Sequence, residues 1–186
     1  MILVAMKRAV WQNKSNDQLC VTIPKDSGIK DGDVVDIKKG SISKIAYLGV
    51  VGDLFHYGHL RSIMFAKSIS DYLICGVFTD ELVESYRAKP VANLSERKAV
   101  ISALKYVDRT TVQQSRDPTV NLSKIHEEFP EAEIILGHGD DLKYVHGSEY
   151  IKTIGGKIVQ HPYYNRLSNF KIIQHLVEHK DSFRDI

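Results

Sequence analysis

Residues 45–67 set the chain's folding options most tightly. An apolar, β-branched run (Ile45-Ala46-Tyr47-Leu48-Gly49-Val50-Val51) breaks at glycine and presents His56 and His59 on either side of Tyr57-Gly58. It then continues with Leu60, Ile63 and Met64 at helical spacing. The pattern reads as strand, tight turn, helix. A helix start exposes unpaired backbone N–H groups and the positive end of the macrodipole, so a glycine-bearing turn there offers a seat for phosphate. Two imidazoles at the same mouth add donors that follow charge as it moves during a reaction.

From Lys44 onward, strand patterns alternate with helix patterns. Asp71–Phe78 reads as a buried strand ending at Thr79-Asp80, either of which caps a helix through Val83. A polar loop around Arg87-Ala88-Lys89-Pro90 leads to a helix opened by Ser95 and carrying Val100, Ile101 and Leu104. Residues 106–112 give the next strand, and Asp117-Pro118 supplies the N-cap and first position of a helix to Phe129, stopped by Pro130. Glu133–Leu136 is a strand ending at Gly137-His138-Gly139-Asp140-Asp141. Residues 149–154 form a helix that Gly155-Gly156 stops, 157–160 the last strand, and Ser168 caps a closing helix through Val177. This alternation predicts right-handed βαβ crossovers and an α/β fold, a Rossmann-like, mostly parallel sheet with helices on both faces. Such sheets bind ligands beyond their strand C-termini, where the strand order reverses. His56, His59, Lys89, Asp140, Asp141 and Ser168 all follow strand ends, so one cleft can collect them.

Residues 1–44 have another texture. Short β-like pieces (Ala9-Val10-Trp11, Leu19–Ile23, Val34–Ile37) are separated by polar turns, and no amphipathic helix fits. The expected division is a small N-terminal β-hairpin domain, 1–44, and a main domain, 45–186. So few strands make a poor core alone, so the small domain must pack on the remainder or pair with a copy of itself. With 26% charged residues and a net charge of +2, the global field is too weak to argue for nucleic acid or an anionic membrane, so anion binding must be local. Cys20 and Cys75 form no CxxC pair, which excludes a zinc knuckle or a disulfide framework and makes a reducing cytosol the default. The Met1–Met6 run is shorter than a signal h-region, and no stretch approaches the ~20 apolar residues of a membrane span. A soluble, cytoplasmic protein is expected.

At His56-Tyr57-Gly58-His59 the chain resembles the HxGH nucleotidyltransferase superfamily, which includes cytidylyltransferases and class I aminoacyl-tRNA synthetases. Asp53–His59, Asp71-Tyr72-Leu73-Ile74, Thr79-Asp80-Glu81, Glu96-Arg97-Lys98, Tyr106-Val107-Asp108 and Gly139-Asp140-Asp141 follow the order and approximate spacing of glycerol-3-phosphate and phosphoethanolamine cytidylyltransferases. The tail, Gly147–Val159, is more similar to the adenylyltransferase that activates heptose 1-phosphate. The likeness spans residues 45 to about 176.

The resemblance implies transfer of CMP from CTP to a phosphorylated polyol, sugar or amino alcohol. A phosphomonoester oxygen attacks the α-phosphorus in line and pyrophosphate leaves, so positioning and charge stabilisation do most of the catalysis. It gives His56 and His59 the triphosphate oxygens and Lys89 the bridge between donor and acceptor phosphates, with Lys67 a further candidate. Its nucleotide-binding set is Val51, Gly52, Asp53, Gly58, Gly139, Asp140, Asp141, Arg166, Ser168 and Asn169. Mg2+ accompanies the triphosphate, held mainly by phosphate oxygens, with Asp53 as the protein ligand on offer. Read from the residues alone, Asp140 serves equally as a turn cap, and Lys98 belongs to a solvated helix face. His138, His146, His161, His175 and His179 follow no metal-ligand spacing and are surface or pocket residues.

The chain departs from the family pattern in several places. Val50-Val51-Gly52 stands where relatives have Gly-Thr-Phe, Leu142 replaces the aromatic that packs on cytosine, and Lys105 replaces an arginine, keeping charge but losing the bidentate fork. Arg166 lies in the word Tyr163–Asn169, shifted from the family's arginine. An adenylyltransferase using ATP on a sugar phosphate is therefore the alternative. A second resemblance concerns Val21-Thr22-Ile23-Pro24-Lys25 and Gly28–Val35, which are similar to the swapped-hairpin module of AbrB-type and antitoxin-type transcription factors but lack its short helix. It implies a homodimer. Lys7, Arg8 and Lys14 are offset by Asp17 and Asp26, which favours a dimerisation or packing hairpin over a DNA-binding regulator with a nucleotide-sensing domain.

Overall fold

The structure, a computed structural model, describes residues 10–13, 18–21, 28–31, 33, 42–140 and 144–183. The chain divides into two compact units, 1–41 and 42–186. In the first, β1 (Val10–Asn13) and β2 (Gln18–Val21) form an antiparallel ribbon with Val10 opposite Val21 and Asn13 opposite Gln18. The expected strand at 34–37 and most of the AbrB-like words lie outside the described residues.

The second unit runs β3 (Lys44–Val50), α1 (Tyr57–Ser68), β4 (Tyr72–Phe78), α2 (Asp80–Glu84), α3 (Leu94–Ser102), β5 (Arg109–Gln113), α4 (Thr119–Glu128), β6 (Glu133–Gly139), α5 (Ser148–Thr153), β7 (Lys157–His161) and α6 (Asn169–Glu178). The strands form one parallel, five-stranded sheet in the order β5-β4-β3-β6-β7. The chain winds outward from β3 through β4 to β5, then returns to place β6 on the other side of β3. The order therefore reverses between β3 and β6, at the strand followed by the two histidines.

Strand alternation explains why both faces are covered. Ile45 and Tyr47 of β3 point to one side, where they join Ile74, Leu136, Leu122 and Ile125 of α4, and Ile151 of α5. Ala46, Leu48 and Val50 point to the other, against Ile63 and Ala66 of α1 and Ile101 of α3. A strand buried on both faces reads as a continuous apolar run, as β3 and β4 do. The one polar group in the β3 core, the Tyr47 hydroxyl, donates to Gln113 Oε1 at 2.8 Å and accepts from Asn121 Nδ2 at 2.7 Å. A side chain at Gly76 would overlap that hydroxyl, which fixes glycine on the neighbouring strand.

Some boundaries differ from expectation, each through a local hydrogen bond. Asn93, not Ser95, caps α3: its side chain accepts from Glu96 N while Glu96 Oε2 accepts from Asn93 N at 2.8 Å, a reciprocal capping box. Residues 106–108 are a turn rather than strand: Asp108 N donates to Leu73 O at 3.1 Å, but the Asp108 carboxylate, not a backbone carbonyl, accepts from Leu73 N at 2.7 Å and from Lys67 Nζ at 2.5 Å. Pro118 occupies the N-cap of α4, and Asp117 Oδ1 reaches Thr119 N at 2.9 Å from one position earlier. Among the described residues no helix is long and apolar enough to cross a membrane.

Candidate active site

The β3–α1 connection is built from backbone conformations few residues accept. Gly52 has φ +71°, and a Cβ there would lie 2.6 Å from Ile101 Cδ1, so both backbone and packing require glycine. Leu54 also has positive φ (44°), a left-handed conformation costing a non-glycine residue roughly 1–2 kcal/mol. Asp53, between them and 8% exposed, holds the turn in place. Its two carboxylate oxygens accept from Val91 N and Ala92 N at 3.0 Å each, and its carbonyl accepts from Asn169 Nδ2 at 3.0 Å.

The histidines then cap α1 in an unusual way. His56 is the N-cap; its Nδ1 accepts from Gly58 N at 3.0 Å, and His59 Nδ1 accepts from His56 N at 3.3 Å. With both Nδ1 atoms taken as acceptors, the neutral rings carry their protons on Nε2. The rings lie 4.1 Å apart, and Phe55 stacks on His59 at 5.4 Å. Burial lowers the pKa of His56, against the pull of the Asn169 side chain. Burial, the neighbouring His56 and the Arg87 guanidinium push His59 down to about 4, outweighing Asp53. Both rings therefore work as neutral Nε2–H donors near pH 7. Gly58 is glycine because a Cβ would meet His56 Cε1 at 2.7 Å and Nδ1 at 2.9 Å, so its first duty is to make room for the capping ring.

A buried arginine organises the rest of the mouth. Arg97, with 1% exposure, donates from Nε to Ala92 O (3.0 Å), from Nη1 to Val51 O (2.5 Å), and from Nη2 to Phe78 O (2.7 Å) and Asp80 Oδ1 (2.5 Å). One guanidinium thus ties together the ends of β3 and β4, the start of α2 and the loop before α3. The Glu96-Arg97-Lys98 word marked this residue by resemblance but gave no sign that it is interior.

The structure brings only some of the predicted residues together. Val51, Gly52, Asp53, His56, Gly58, His59 and Asn169 meet at the β3–α1 turn, where Ser168 Oγ caps α6 by accepting from Lys171 N at 3.3 Å. Among the described residues Asn169 Oδ1 is buried there without a formed hydrogen bond, and the Asn169 side chain favours the protonated form of His56. Arg166 is exposed and engages Tyr164, whose ring meets Tyr57 at 5.2 Å and lies under the Arg61 guanidinium at 5.3 Å. Asp140 and Gly139 sit at the end of β6, with Asp140 Oδ1 accepting from Tyr163 N at 2.8 Å; Asp141 and Leu142 lie outside the described residues. Lys89 points outward, 78% exposed and 3.9 Å from Glu84. Lys67 lies at the far end of α1, bound to Asp108 and the Asp71 carbonyl, remote from the turn. Lys105, also past the distal end of α3, lies over Tyr106.

Beside the turn, at the reversal point, opens a cleft of about 290 Å3 lined by Val51, Tyr86, Arg87, Arg116, His138 and His146 among others. Arg87 and Arg116 carry no motif; their signal in the sequence is their place in the loops around 84–93 and 113–118, where the family match is poorest and acceptor recognition is expected. Among the described residues no three His, Cys, Asp or Glu side chains converge to hold a metal, and both Asp53 oxygens are committed to loop amides. Among the described residues, then, no cluster of side chains makes a protein-held cation site.

A reversal-point cleft beside a glycine turn and paired histidines at a helix N-terminus define a Rossmann-like α/β protein. A cytidylyltransferase-like family model matches residues 51–180, and the chain belongs to that family. It is 27% identical over 184 residues to a probable ethanolamine-phosphate cytidylyltransferase of Encephalitozoon cuniculi, covering 95% of this chain and 47% of that protein. It is 31% identical to an FAD synthase of Pyrococcus abyssi, over 70% of this chain and 90% of that one. Among solved structures, a lipopolysaccharide core biosynthesis protein of Thermoplasma volcanium superposes with a TM-score of 0.53 at 26% identity, over 66% of this chain and 98% of that one. The chain spans about half or less of the length of the ethanolamine-phosphate relatives it matches.

Proposed function

We propose that this chain is a nucleotidyltransferase that moves CMP from CTP to a small phosphorylated alcohol, with release of pyrophosphate. The observation that carries the reading is the pair of histidines with both Nδ1 atoms locked by backbone N–H groups and both Nε2–H groups left to donate at the start of α1. An acceptor phosphate oxygen forms the new bond to the α-phosphorus as the bond to the α–β bridging oxygen breaks. The electron pair leaves with pyrophosphate, and no proton has to move. What the protein must supply is alignment and donors for the charge gathering on the leaving group. His56 and His59 provide the donors, and the α1 and α6 N-termini add backbone N–H groups to the same surface. Magnesium enters as part of the nucleotide substrate. An amino-alcohol phosphate acceptor is supported by the relatives named ethanolamine-phosphate cytidylyltransferases.

A second reading changes the base. Transfer of AMP from ATP to a sugar phosphate is supported by the heptose-type tail, Gly147–Val159, and by Leu142 in place of an aromatic. Pyrophosphate release measured with each of the common nucleoside triphosphates against phosphoethanolamine, glycerol 3-phosphate and hexose phosphates separates the two. The first reading expects release with CTP and an alcohol phosphate. Release with ATP alone selects the second, and silence with every pair overturns both. Homodimerisation through the N-terminal unit is proposed alongside and is read from solution mass by light scattering, a monomer at high concentration overturning it.

A further inference from the structure

A chain of hydrogen bonds runs from the middle of the sheet to the rim of the cleft. Asn121 Nδ2, near the start of α4, donates to the Tyr47 hydroxyl at 2.7 Å and to Val112 O at 3.1 Å. The hydroxyl donates to Gln113 Oε1 at 2.8 Å, and Gln113 Nε2 donates to Ser115 O at 2.7 Å and to Arg116 O at 3.4 Å. Backbone carbonyls only accept, so Val112 and Ser115 dictate which way both side-chain amides face, and the donors in the chain all point towards the loop. Burial raises the pKa of the Tyr47 hydroxyl, which keeps it a donor across the working pH range.

The sheet gives up side chains to admit this pair. A Cβ on Gly76 of β4 would lie 1.9 Å from the Tyr47 hydroxyl oxygen and 2.7 Å from Gln113 Oε1, and one on Gly49 of β3 would lie 3.0 Å from Gln113 Oε1. Glycine weakens a strand interior, and an apolar pair at 47 and 113 would need no partners. What the polar pair does that an apolar one cannot is bind the β5–α4 connection. Gln113 is 2% exposed while residues 114–117 are exposed, so its Nε2 anchors a surface loop from the interior. Two further bonds, Asp117 N to Ser115 Oγ at 3.1 Å and Thr119 N to Asp117 Oδ1 at 2.9 Å, stay within the loop and the start of α4. The loop brings Arg116 into the wall of the cleft, where its guanidinium and that of Arg87 lie 5.0 and 5.2 Å from the centroid of the Tyr86 ring.

We propose that Tyr47 and Gln113 are positioning residues for the transfer reaction: from inside the sheet they hold the 114–117 loop in the shape it needs to meet the acceptor. The assignment rests on the nucleotidyl-transfer reading and on the expectation that this loop takes part in acceptor recognition. It adds the interior pair that presets the loop, neither member of which lines the cleft. A preset loop spares acceptor binding the cost of ordering it. The histidine turn stands apart from this chain of bonds, so the effect falls on the acceptor and not on the nucleotide.

The test compares three variants of the full chain. Gln113→Met removes the anchor and leaves the Tyr47 hydroxyl without its acceptor. Tyr47→Phe/Gln113→Met replaces the hydrogen-bonded pair by an apolar pair of similar size, a change that is close to neutral for stability, and its thermal midpoint by circular dichroism should lie near that of wild type. Tyr47→Phe keeps the anchor but lets the amide turn. In steady-state pyrophosphate release the double variant is expected to raise KM for the phosphomonoester about 10-fold, with kcat and KM for the nucleotide within about 2-fold of wild type, and Tyr47→Phe should fall between. An unchanged phosphomonoester KM, or equal losses in both KM values, overturns the assignment and leaves the transfer reading standing. Brief trypsin digestion of the folded proteins, with fragments identified by mass spectrometry, needs no substrate. The cut after Arg116 should be about 10-fold faster in the double variant, with the cut after Arg166, in another exposed loop, unchanged. Equal rates after Arg116 in wild type and double variant refute the anchor. If no protein turns over any substrate pair, the transfer reading falls and the digestion still decides whether the pair holds the loop.

Discussion

Arg97→Met removes the guanidinium at the centre of the mouth and keeps a stem of similar length. The structure sets the cost. Four hydrogen bonds disappear, leaving the carbonyls of Val51, Phe78 and Ala92 and one oxygen of Asp80 without their donor. A buried acceptor orphaned in this way costs about 1–3 kcal/mol. Water entering by the adjoining cleft rehydrates part of Val51 and Phe78, and Asp80 keeps Leu94 N at 3.2 Å, so the upper end of the sum is not reached. Breaking a buried pair from one side typically costs about 3–5 kcal/mol, a large share of the roughly 5–15 kcal/mol that holds a domain folded. Urea unfolding followed by far-ultraviolet circular dichroism should show a midpoint shift of that size with an unchanged slope. Arg97→Lys, able to reach only some of the four acceptors, should fall between. A Met variant within about 1 kcal/mol of wild type would refute the view that this side chain holds the strand ends together.

Three further outcomes follow from the turn. His59→Asn keeps an acceptor for His56 N–H but loses the Nε2 donor, so it should fold and lose about 100-fold in turnover; full activity in the folded variant contradicts the donor role. The same residue predicts a pH dependence: the unfolded histidine takes up a proton near pH 6.5 and the folded one only near 4, so stability falls as pH drops through that interval. The effect is at most roughly 3 kcal/mol before solvent screening, and it should shrink in His59→Asn; an identical acid profile in both proteins refutes it. Gly52→Ala meets both a φ of +71° and the Ile101 side chain, and should destabilise by about 2 kcal/mol or more, read as a fall in thermal midpoint; an unshifted midpoint means the turn relaxes freely.

Much of this was legible in the sequence because it is periodic or local. The continuous apolar run of β3 reports burial directly, and Ser168 and Thr79 cap the helices they precede; of Leu60, Ile63 and Met64, which marked α1, Ile63 is buried and Met64 faces outward. The histidine turn was legible as a strand–turn–helix junction from the same local chemistry. The rest depends on contacts distant in the chain. Nothing near Arg97 announces that Val51 and Phe78 need donors, and an arginine in a polar helix start reads as solvated. Arg87 and Arg116 are 29 residues apart and meet only over Tyr86. Nothing beside Asp53 in the chain announces that its carboxylate accepts from the amides of Val91 and Ala92, nearly forty positions on.

The central claim is attack at the α-phosphorus in the cleft beside His56 and His59. CTP labelled at the α-phosphorus, incubated with the full chain and phosphoethanolamine, tests it directly. The account predicts that the label appears in a product carrying the acceptor, with pyrophosphate released unlabelled in equal amount, and that His59→Asn suppresses both together. Label that stays in CTP with every acceptor tried, or that appears as free CMP whether or not an acceptor is present, contradicts it.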